Sequence, residues 1–135
     1  MKKTKLTLLL LLQVITSFSQ ESLNLRAEKL DIVKYANDSA TVSTKKLGDS
    51  FFISINDTSV VLQNTNTTFN RNAKVEYKVT EVMFSYENEK LLRCVTLSNQ
   101  ELVIRYIDDL ELYGGTWVFV FFESSDYNYK CSKFD

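Results

Sequence analysis

Alternating apolar and polar residues run through most of the chain, and the alternation is clearest between residues 91 and 122. Two runs, residues 91–97 and 102–107, place an apolar side chain at most second positions and are separated by Ser98 and Asn99. A period of two is typical of a strand with one buried face, and a short polar break is typical of a turn. The pattern therefore predicts a hairpin centred on Ser98 and Asn99.

The run from residue 117 to residue 122 is apolar on both of its faces. Odd-numbered and even-numbered positions of an extended strand point to opposite sides. The two sets are Trp117, Phe119 and Phe121 against Val118, Val120 and Phe122. An uncharged, β-prone face left open to water would aggregate. We therefore expect Phe119 and Phe121 to be core residues and the other face to be covered by the C-terminal tail, the N-terminal segment, a second subunit or a ligand.

Shorter alternating runs predict further strands on both sides of turns rich in Asn, Asp and Gly. These runs are residues 29–35, 40–46, 51–55, 60–63 and 75–79. The segment 40–46 is polar enough to be an edge strand, and residues 23–30 also fit a short helix. After residue 79 the apolar positions change parity, which predicts a bulge or tight turn at Thr80 and Glu81.

Eight or nine short strands with no convincing helix predict an all-β fold. The spacing of the turns favours an antiparallel eight- to nine-stranded small barrel of lipocalin-like size, with a two-sheet sandwich as the alternative. A closed barrel removes the sheet edges that a chain without proline does little else to protect. The length of 135 residues fits a single domain at residues 21–135.

The first 20 residues have the character of a secretory signal peptide. Lys2, Lys3 and Lys5 precede an apolar run at residues 6–15, and small residues near Ser19 suit cleavage. The apolar run is shorter than the roughly 20 residues that span a bilayer, and no later run approaches that length. Without the signal, 13 basic and 17 acidic residues leave a net charge of −4. We expect a secreted or periplasmic protein with no transmembrane segment and no affinity for nucleic acid.

Three segments carry a resemblance to small secreted proteins of the flavobacterial type. They are the hairpin at residues 52–61, the segment Leu92-Arg93-Cys94-Val95, and the strand at residues 102–108. The resemblance covers roughly residues 28–122 and is lipocalin-like in strand count and size. It implies export and a β fold, and it transfers no site residues.

The composition excludes several kinds of chemistry. The chain has no His, only three Gly and two Cys. Ser-His and Cys-His nucleophile pairs, glycine-rich phosphate loops and cysteine-rich zinc sites therefore cannot be built from it. We expect neither a cofactor nor a metal site, and no catalytic residue is assigned.

The densest group of carboxylates consists of Asp108, Asp109 and Glu111. Such oxygens can bind Ca²⁺, and paired carboxylates can act as acid and base on a glycoside. A solvated turn between two strands is the simpler interpretation, because acidic turns are common.

The two cysteines predict a disulfide between Cys94, inside a strand, and Cys131, in the C-terminal tail. An even number of cysteines in an oxidising compartment favours a bridge. A buried free thiol at Cys94 with an exposed one at Cys131 is the alternative.

The aromatic residues supply the candidate ligand site, for which we select Trp117, Phe119, Tyr106 and Tyr77. Aromatic side chains line ligand cavities, although a packed core uses the same residues more often. The predicted function is a secreted, non-enzymatic β-domain that binds a small apolar ligand or a protein partner. A structural, envelope-associated interaction module and a carboxylate-based hydrolase are the alternatives.

Overall fold

The computed structural model describes residues 22–65 and 73–134, and the predicted signal peptide lies outside the described residues. The described chain forms nine strands and one short helix. They are β1 (Leu23–Ala36), β2 (Ser39–Lys46), β3 (Phe51–Ile55), β4 (Ser59–Asn64), β5 (Ala73–Ser85), β6 (Glu89–Val95), β7 (Glu101–Asp109), α1 (Leu110–Tyr113), β8 (Gly115–Phe121) and β9 (Ser125–Lys133). In this part of the chain, no helix has the length and apolar character needed for a membrane span.

Eight of the strands close into an antiparallel barrel. From β3 to β9 each strand pairs with the next, β3 also pairs with β1, and β9 pairs back onto β1 from Leu25–Lys133 to Lys34–Ser125. The predicted small all-β barrel is therefore confirmed. The hairpin predicted at Ser98 and Asn99 is β6–β7, and Asn99 occupies the left-handed region at φ 64°.

Strand β2 is an addition outside the closed barrel. It pairs with the second half of β1, beyond the stretch of β1 that pairs with β3. All eight of its residues are exposed, and within the described residues β1 is its only strand partner. The prediction of a polar edge strand at residues 40–46 is confirmed.

The strands of the barrel are strongly staggered. Lys78 of β5 pairs on one side with Ser59, the first residue of β4, and on the other with Val95, the last residue of β6. Such a stagger accompanies strands that are steeply tilted against the barrel axis. An eight-stranded barrel either fills its interior with side chains or encloses one small ligand.

The core consists of the inward-facing residues of all eight barrel strands. Its members include Leu25, Leu30, Ile53, Ile55, Val60, Leu62, Leu92, Ile104, Tyr106, Val118, Val120 and Tyr129. Among the described residues, Thr116 is the one buried polar residue.

Both faces of β8 are apolar, as predicted. The prediction that Phe119 and Phe121 are core residues was wrong, because the opposite face of the strand meets the core. Val118 and Val120 are 0% and 1% exposed, whereas Phe119 lies on the outer face. Phe119 pairs across the sheet with Arg105 of β7, and Val118 pairs with the buried Tyr106. A charged residue in the same row must point to solvent, so the aromatic residues of β8 point outward with it.

The C-terminal residues form the closing strand, so the expectation of a tail was wrong. Tyr129 and Cys131 of β9 are buried, and Tyr127 packs against the core. They alternate with Asn128 and Lys130 on the outer face. The period of two was present in the sequence, but intervening polar residues hid it. Residues 23–30 are likewise strand rather than helix.

The predicted irregularity in β5 is present, together with a second one. The pairing with β6 shifts between Val79 and Glu81, as expected for a bulge at Thr80. A further shift between Val82 and Phe84 places Phe84 opposite Leu91. The bulge was expected to keep the apolar residues after it, Val82, Phe84 and Tyr86, inside the barrel; this expectation was wrong, because Val82 and Tyr86 are exposed.

Candidate functional site

Five aromatic residues meet inside the barrel near the end that carries the β1–β2 and β8–β9 turns. We call this set the aromatic cluster: Phe51, Tyr77, Phe122, Tyr127 and Tyr129. They come from β3, β5, the β8–β9 turn and β9, and strand alternation turns each of them inward.

The rings of the aromatic cluster contact one another in ordinary aromatic geometries. Phe122 meets Tyr77 at 6.4 Å and Tyr127 at 5.3 Å between centroids, both edge to face. Phe51 stacks on Tyr129 at 5.5 Å with an interplanar angle of 24°. Such pairs stabilise beyond the area they bury, by about 0.5–1.5 kcal/mol each.

Burial within the cluster is graded from base to rim. Tyr77 and Tyr129 are buried, while Phe51, Phe122 and Tyr127 are half-buried. The cluster therefore offers an aromatic surface that begins in the core and remains accessible at one end of the barrel.

Two of the three tyrosines in the cluster have raised pKa values. Burial raises the pKa of Tyr77, and the neighbouring Tyr127 raises it further. Burial also raises the pKa of Tyr129, with added contributions from Tyr77 and Tyr127. Tyr77 and Tyr129 are thus protonated at neutral pH and can donate hydrogen bonds. Within the described residues, none of the three hydroxyls has a hydrogen-bond partner.

The opposite end of the barrel carries a polar group of side chains. Asp108 accepts a hydrogen bond from Thr116 Oγ1 at 2.9 Å and pairs with Lys133 Nζ at 2.5 Å. The buried hydroxyl of Tyr106 makes no hydrogen bond of ordinary geometry with the described residues. Burial raises the pKa of Tyr106, and the nearby Lys133 counters part of that effect.

The four aromatic residues selected from the sequence do not form one surface. Tyr77 and Tyr106 lie inside the barrel, and Trp117 and Phe119 lie on its outer face. Of these, only Tyr77 belongs to the aromatic cluster. Tyr127 and Tyr129 are not among the predicted site residues because their segment was predicted to be a tail; their spacing of two from each other and from Cys131 is the signal of a strand.

The outer face of β8 carries a second group of aromatic rings. Phe119 is nearly parallel to Trp117 at 5.9 Å and to Phe121 at 6.0 Å. Lys29 and Lys130 place their ammonium groups 5.7 and 5.1 Å from the Trp117 ring centroid. These contacts cover part of the outer face of β8, which is the face that the sequence predicted to be core.

The acidic corner serves the local structure. Asp109 is the N-cap of α1, and its carboxylate accepts hydrogen bonds from the backbone N–H groups of Glu111 and Leu112. Asp108 is engaged with Lys133 and Thr116, while Glu111 is exposed. Within the described residues, no three His, Cys, Asp or Glu side chains are grouped closely enough to hold a metal ion.

The two cysteines are free and buried, so the predicted disulfide is absent from this structure. Cys94 lies on β6 and Cys131 on β9, with β7 and β8 between them. Burial raises the pKa of Cys94 to about 11 and that of Cys131 to about 12. Both groups are therefore thiols rather than thiolates at neutral pH, and they contribute to the core as small apolar side chains.

An open groove of about 660 Å³ lies outside the same rim, between the β6–β7 and β8–β9 turns. Its lining residues are Arg93, Gln100, Glu101, Leu102, Val103, Phe121, Phe122 and Glu123. Phe122 therefore contacts both this groove and the aromatic cluster.

Comparison of the chain with protein-family models, with curated proteins and with solved structures gives no match.

Proposed function

We propose that the protein is an exported, non-enzymatic binding protein that holds one small, mostly apolar ligand at the aromatic cluster. The observation that carries this proposal is the aromatic cluster at one end of the barrel, in which the hydroxyls of three tyrosines have no hydrogen-bond partner in the described residues. Ligand sites are typically apolar and aromatic with a few convergent polar groups, and the mouths of β-barrels are a common location.

The chemistry of the cluster favours an uncharged ligand that carries a hydrogen-bond acceptor. The hydroxyls of Tyr77 and Tyr129 are protonated at neutral pH and can donate hydrogen bonds, and burial raises their pKa values further. No charged residue is buried in the described core. A carboxylate or ammonium at this depth would lose its hydration without gaining a counter-charge. A carbonyl or ether oxygen on an apolar body fits the site better.

The half-buried residues give such a ligand a route to the tyrosines. Phe51, Phe122 and Tyr127 keep part of their surface accessible. A ligand that slides past these rings replaces water on aromatic surface, which is favourable at roughly 25 cal/mol per Å² buried. The predicted signal peptide and the resemblance to small secreted proteins support export to a compartment where free apolar molecules are scarce in solution.

A neutral fluorescent probe tests whether the cluster binds. We expect N-phenyl-1-naphthylamine to show saturable fluorescence enhancement with one site per chain. Phe122→Ser should weaken binding because it removes the ring that contacts both Tyr77 and Tyr127. Leu97→Ser is the matched control, since Leu97 is 96% exposed and outside the cluster. Absence of saturable binding by the folded protein would refute the proposal.

The hydroxyl groups are tested separately with a probe that contains a carbonyl, 6-propionyl-2-dimethylaminonaphthalene. Tyr77→Phe, Tyr127→Phe and Tyr129→Phe each remove only a hydroxyl. The variant that loses the hydrogen bond to the carbonyl should bind this probe about fivefold to tenfold more weakly, as expected for about 1–1.5 kcal/mol. Tyr86→Phe, at an exposed position, should have no effect. If all three variants match Tyr86→Phe, the hydroxyls do not recognise the ligand.

A further inference from the structure

We propose that the outer face of β8 is an interface for a second copy of this chain, with a two-fold axis parallel to β8. The face is centred on Trp117, Phe119 and Phe121, which we call the aromatic ladder. This surface is separate from the aromatic cluster inside the barrel.

The ladder is the centre of a larger apolar surface. Its three rings are half-buried on the outside of the barrel. Beside it, α1 exposes Leu110 and Leu112 at 79% and 80%. Apolar side chains grouped on a surface are characteristic of interaction sites.

The charges on the two flanks of the ladder are arranged in rows. In the row of Trp117, Lys130 and then Lys29 follow on the β9 side. On the β7 side of the same row, Ile107 is followed by Glu89. This row is therefore positive on one flank and negative on the other.

The other two rows have the reverse polarity. In the row of Phe119, Asn128 and Asp31 follow on the β9 side, and Arg105 and Leu91 follow on the β7 side. In the row of Phe121, Asp126 lies on the β9 side, and Val103 and Arg93 lie on the β7 side. Both rows are negative toward β9 and carry an arginine toward β7, although Arg93 is followed in its row by Glu81, with which it pairs at 3.6 Å.

A two-fold axis parallel to β8 places the β9 flank of one copy opposite the β7 flank of the other. Each row of one copy then faces the same row of the other copy. The Lys29–Lys130 flank of one copy then approaches Glu89 of the other. Asp31 and Asp126 likewise approach the flank that carries Arg105 and Arg93. Every row thus meets opposite charge, and Glu89 can extend its 2.9 Å pair with Arg105 into a network between the copies.

The alternative axis, perpendicular to β8, is less favourable. It would bring Arg105 against Arg105 and Asp31 against Asp31 in the central row. Like charges placed opposite each other suppress an association. The arrangement of charges therefore selects the parallel axis and a self-complementary, isologous contact.

The first test measures association directly. Sedimentation equilibrium of the full mature chain should show a reversible dimer. Phe119→Lys should raise the dissociation constant at least tenfold, because it places a cation in the centre of the apolar contact. Leu97→Lys puts the same charge on an exposed position at the barrel rim and should leave the dimer unchanged. Circular dichroism and a cooperative urea unfolding transition establish that each variant is folded.

The second test determines whether the two-fold axis of the dimer is parallel to β8. If the two-fold axis is parallel to β8, each residue of the aromatic ladder lies opposite the same residue of the other copy. Phe121→Cys should therefore form a disulfide-linked dimer under mild oxidation. Leu97→Cys should stay monomeric under the same conditions. The native thiols do not interfere, because both are buried.

Several results would overturn the proposal. One is a monomer at all concentrations, and another is a dimer that Phe119→Lys leaves intact. Failure of Phe121→Cys to cross-link within a dimer would exclude the parallel axis. A monomer whose ladder instead binds phosphatidylglycerol vesicles, with loss on Phe119→Lys, would assign the face to a lipid surface and also refute the proposal. Probe binding in the barrel is measured independently, so either proposal can fail alone.

Discussion

At the scale of single residues, side chains that suggest chemistry in the sequence have structural roles in the fold. Asp109 caps α1, and Asp108 joins β7 to the last residue of β9 through Lys133. Residue types and spacing predicted the acidic corner itself. They could not reveal these partners, because Lys133 is distant in sequence and reaches Asp108 only when the barrel closes.

The ion pair between Asp108 and Lys133 gives a pH-dependent contribution to stability. The hydrogen bond from Lys133 lowers the pKa of Asp108 below 3.8, its ordinary value. A carboxyl with a lower pKa in the folded chain stabilises the fold above its unfolded pKa, and this contribution is lost as the pH falls through the folded pKa. We expect Asp108→Asn to reduce the free energy of unfolding by up to about 1 kcal/mol at neutral pH, because both side chains are partly exposed.

The measurement for this pair is urea unfolding of the two proteins at a series of pH values. The difference between wild type and Asp108→Asn should shrink below about pH 4 and vanish in stronger acid, where Asp108 is protonated. A difference that stays constant across the series would show that Asp108 acts through its shape and not through its charge.

At the scale of strands, periodicity predicted most of the barrel but not the direction of every face. The hairpins β3–β4 and β6–β7 follow from alternation and turn residues alone. Strand β8 is apolar on both sides, so its own sequence does not say which side is core. The pairing of β8 with β7 determines which face meets the core. Arg105 lies beside Phe119 in this pairing, so the face that carries Phe119 points to solvent. Register is a tertiary property, and a single strand does not encode it.

The corrected orientation of β8 predicts a clear difference between two truncations. Ile104 is buried in the core, so Ile104→Ala should reduce the free energy of unfolding by about 2–5 kcal/mol. Phe119 is half-buried and stacked on two neighbours, so Phe119→Ala should cost roughly 1 kcal/mol, the scale of aromatic pairs. Denaturant unfolding at protein concentrations below any dimerisation measures both values. A larger loss for Phe119→Ala than for Ile104→Ala would reverse the assignment of faces.

At the scale of the whole molecule, the fold consists of a closed barrel and one strand added to it. A closed barrel pairs both edges of every strand, whereas β2 pairs with β1 alone within the described residues. The polar composition of residues 40–46 predicted this exposed position. The aromatic cluster was not predictable to the same degree, because it draws on residues from β3, β5 and β9 that only closure brings together.

The difference between β2 and the barrel strands is measurable by amide hydrogen exchange. We expect the amides of β6, β7 and β8 to exchange slowly and as a unit, because both edges of these strands are paired. Amides of β2 should exchange far faster, since all its residues are exposed. Protection of β2 equal to that of β7 would indicate that another segment pairs with its free edge.

The seam between β1 and β9 also sets the order in which the molecule can form. Leu25 of β1 pairs with Lys133 of β9, so the barrel can close only when the first and last strands of the described chain are both present. Contacts between distant parts of a chain carry a high entropic cost, and folds dominated by them form slowly. A ribosome releases β9 after all the other described strands, and until then one edge of β1 has no strand partner among them. For the export proposed above, this order of folding has a consequence: a chain whose barrel cannot close early stays unfolded enough to pass through a secretion pore before it completes its structure.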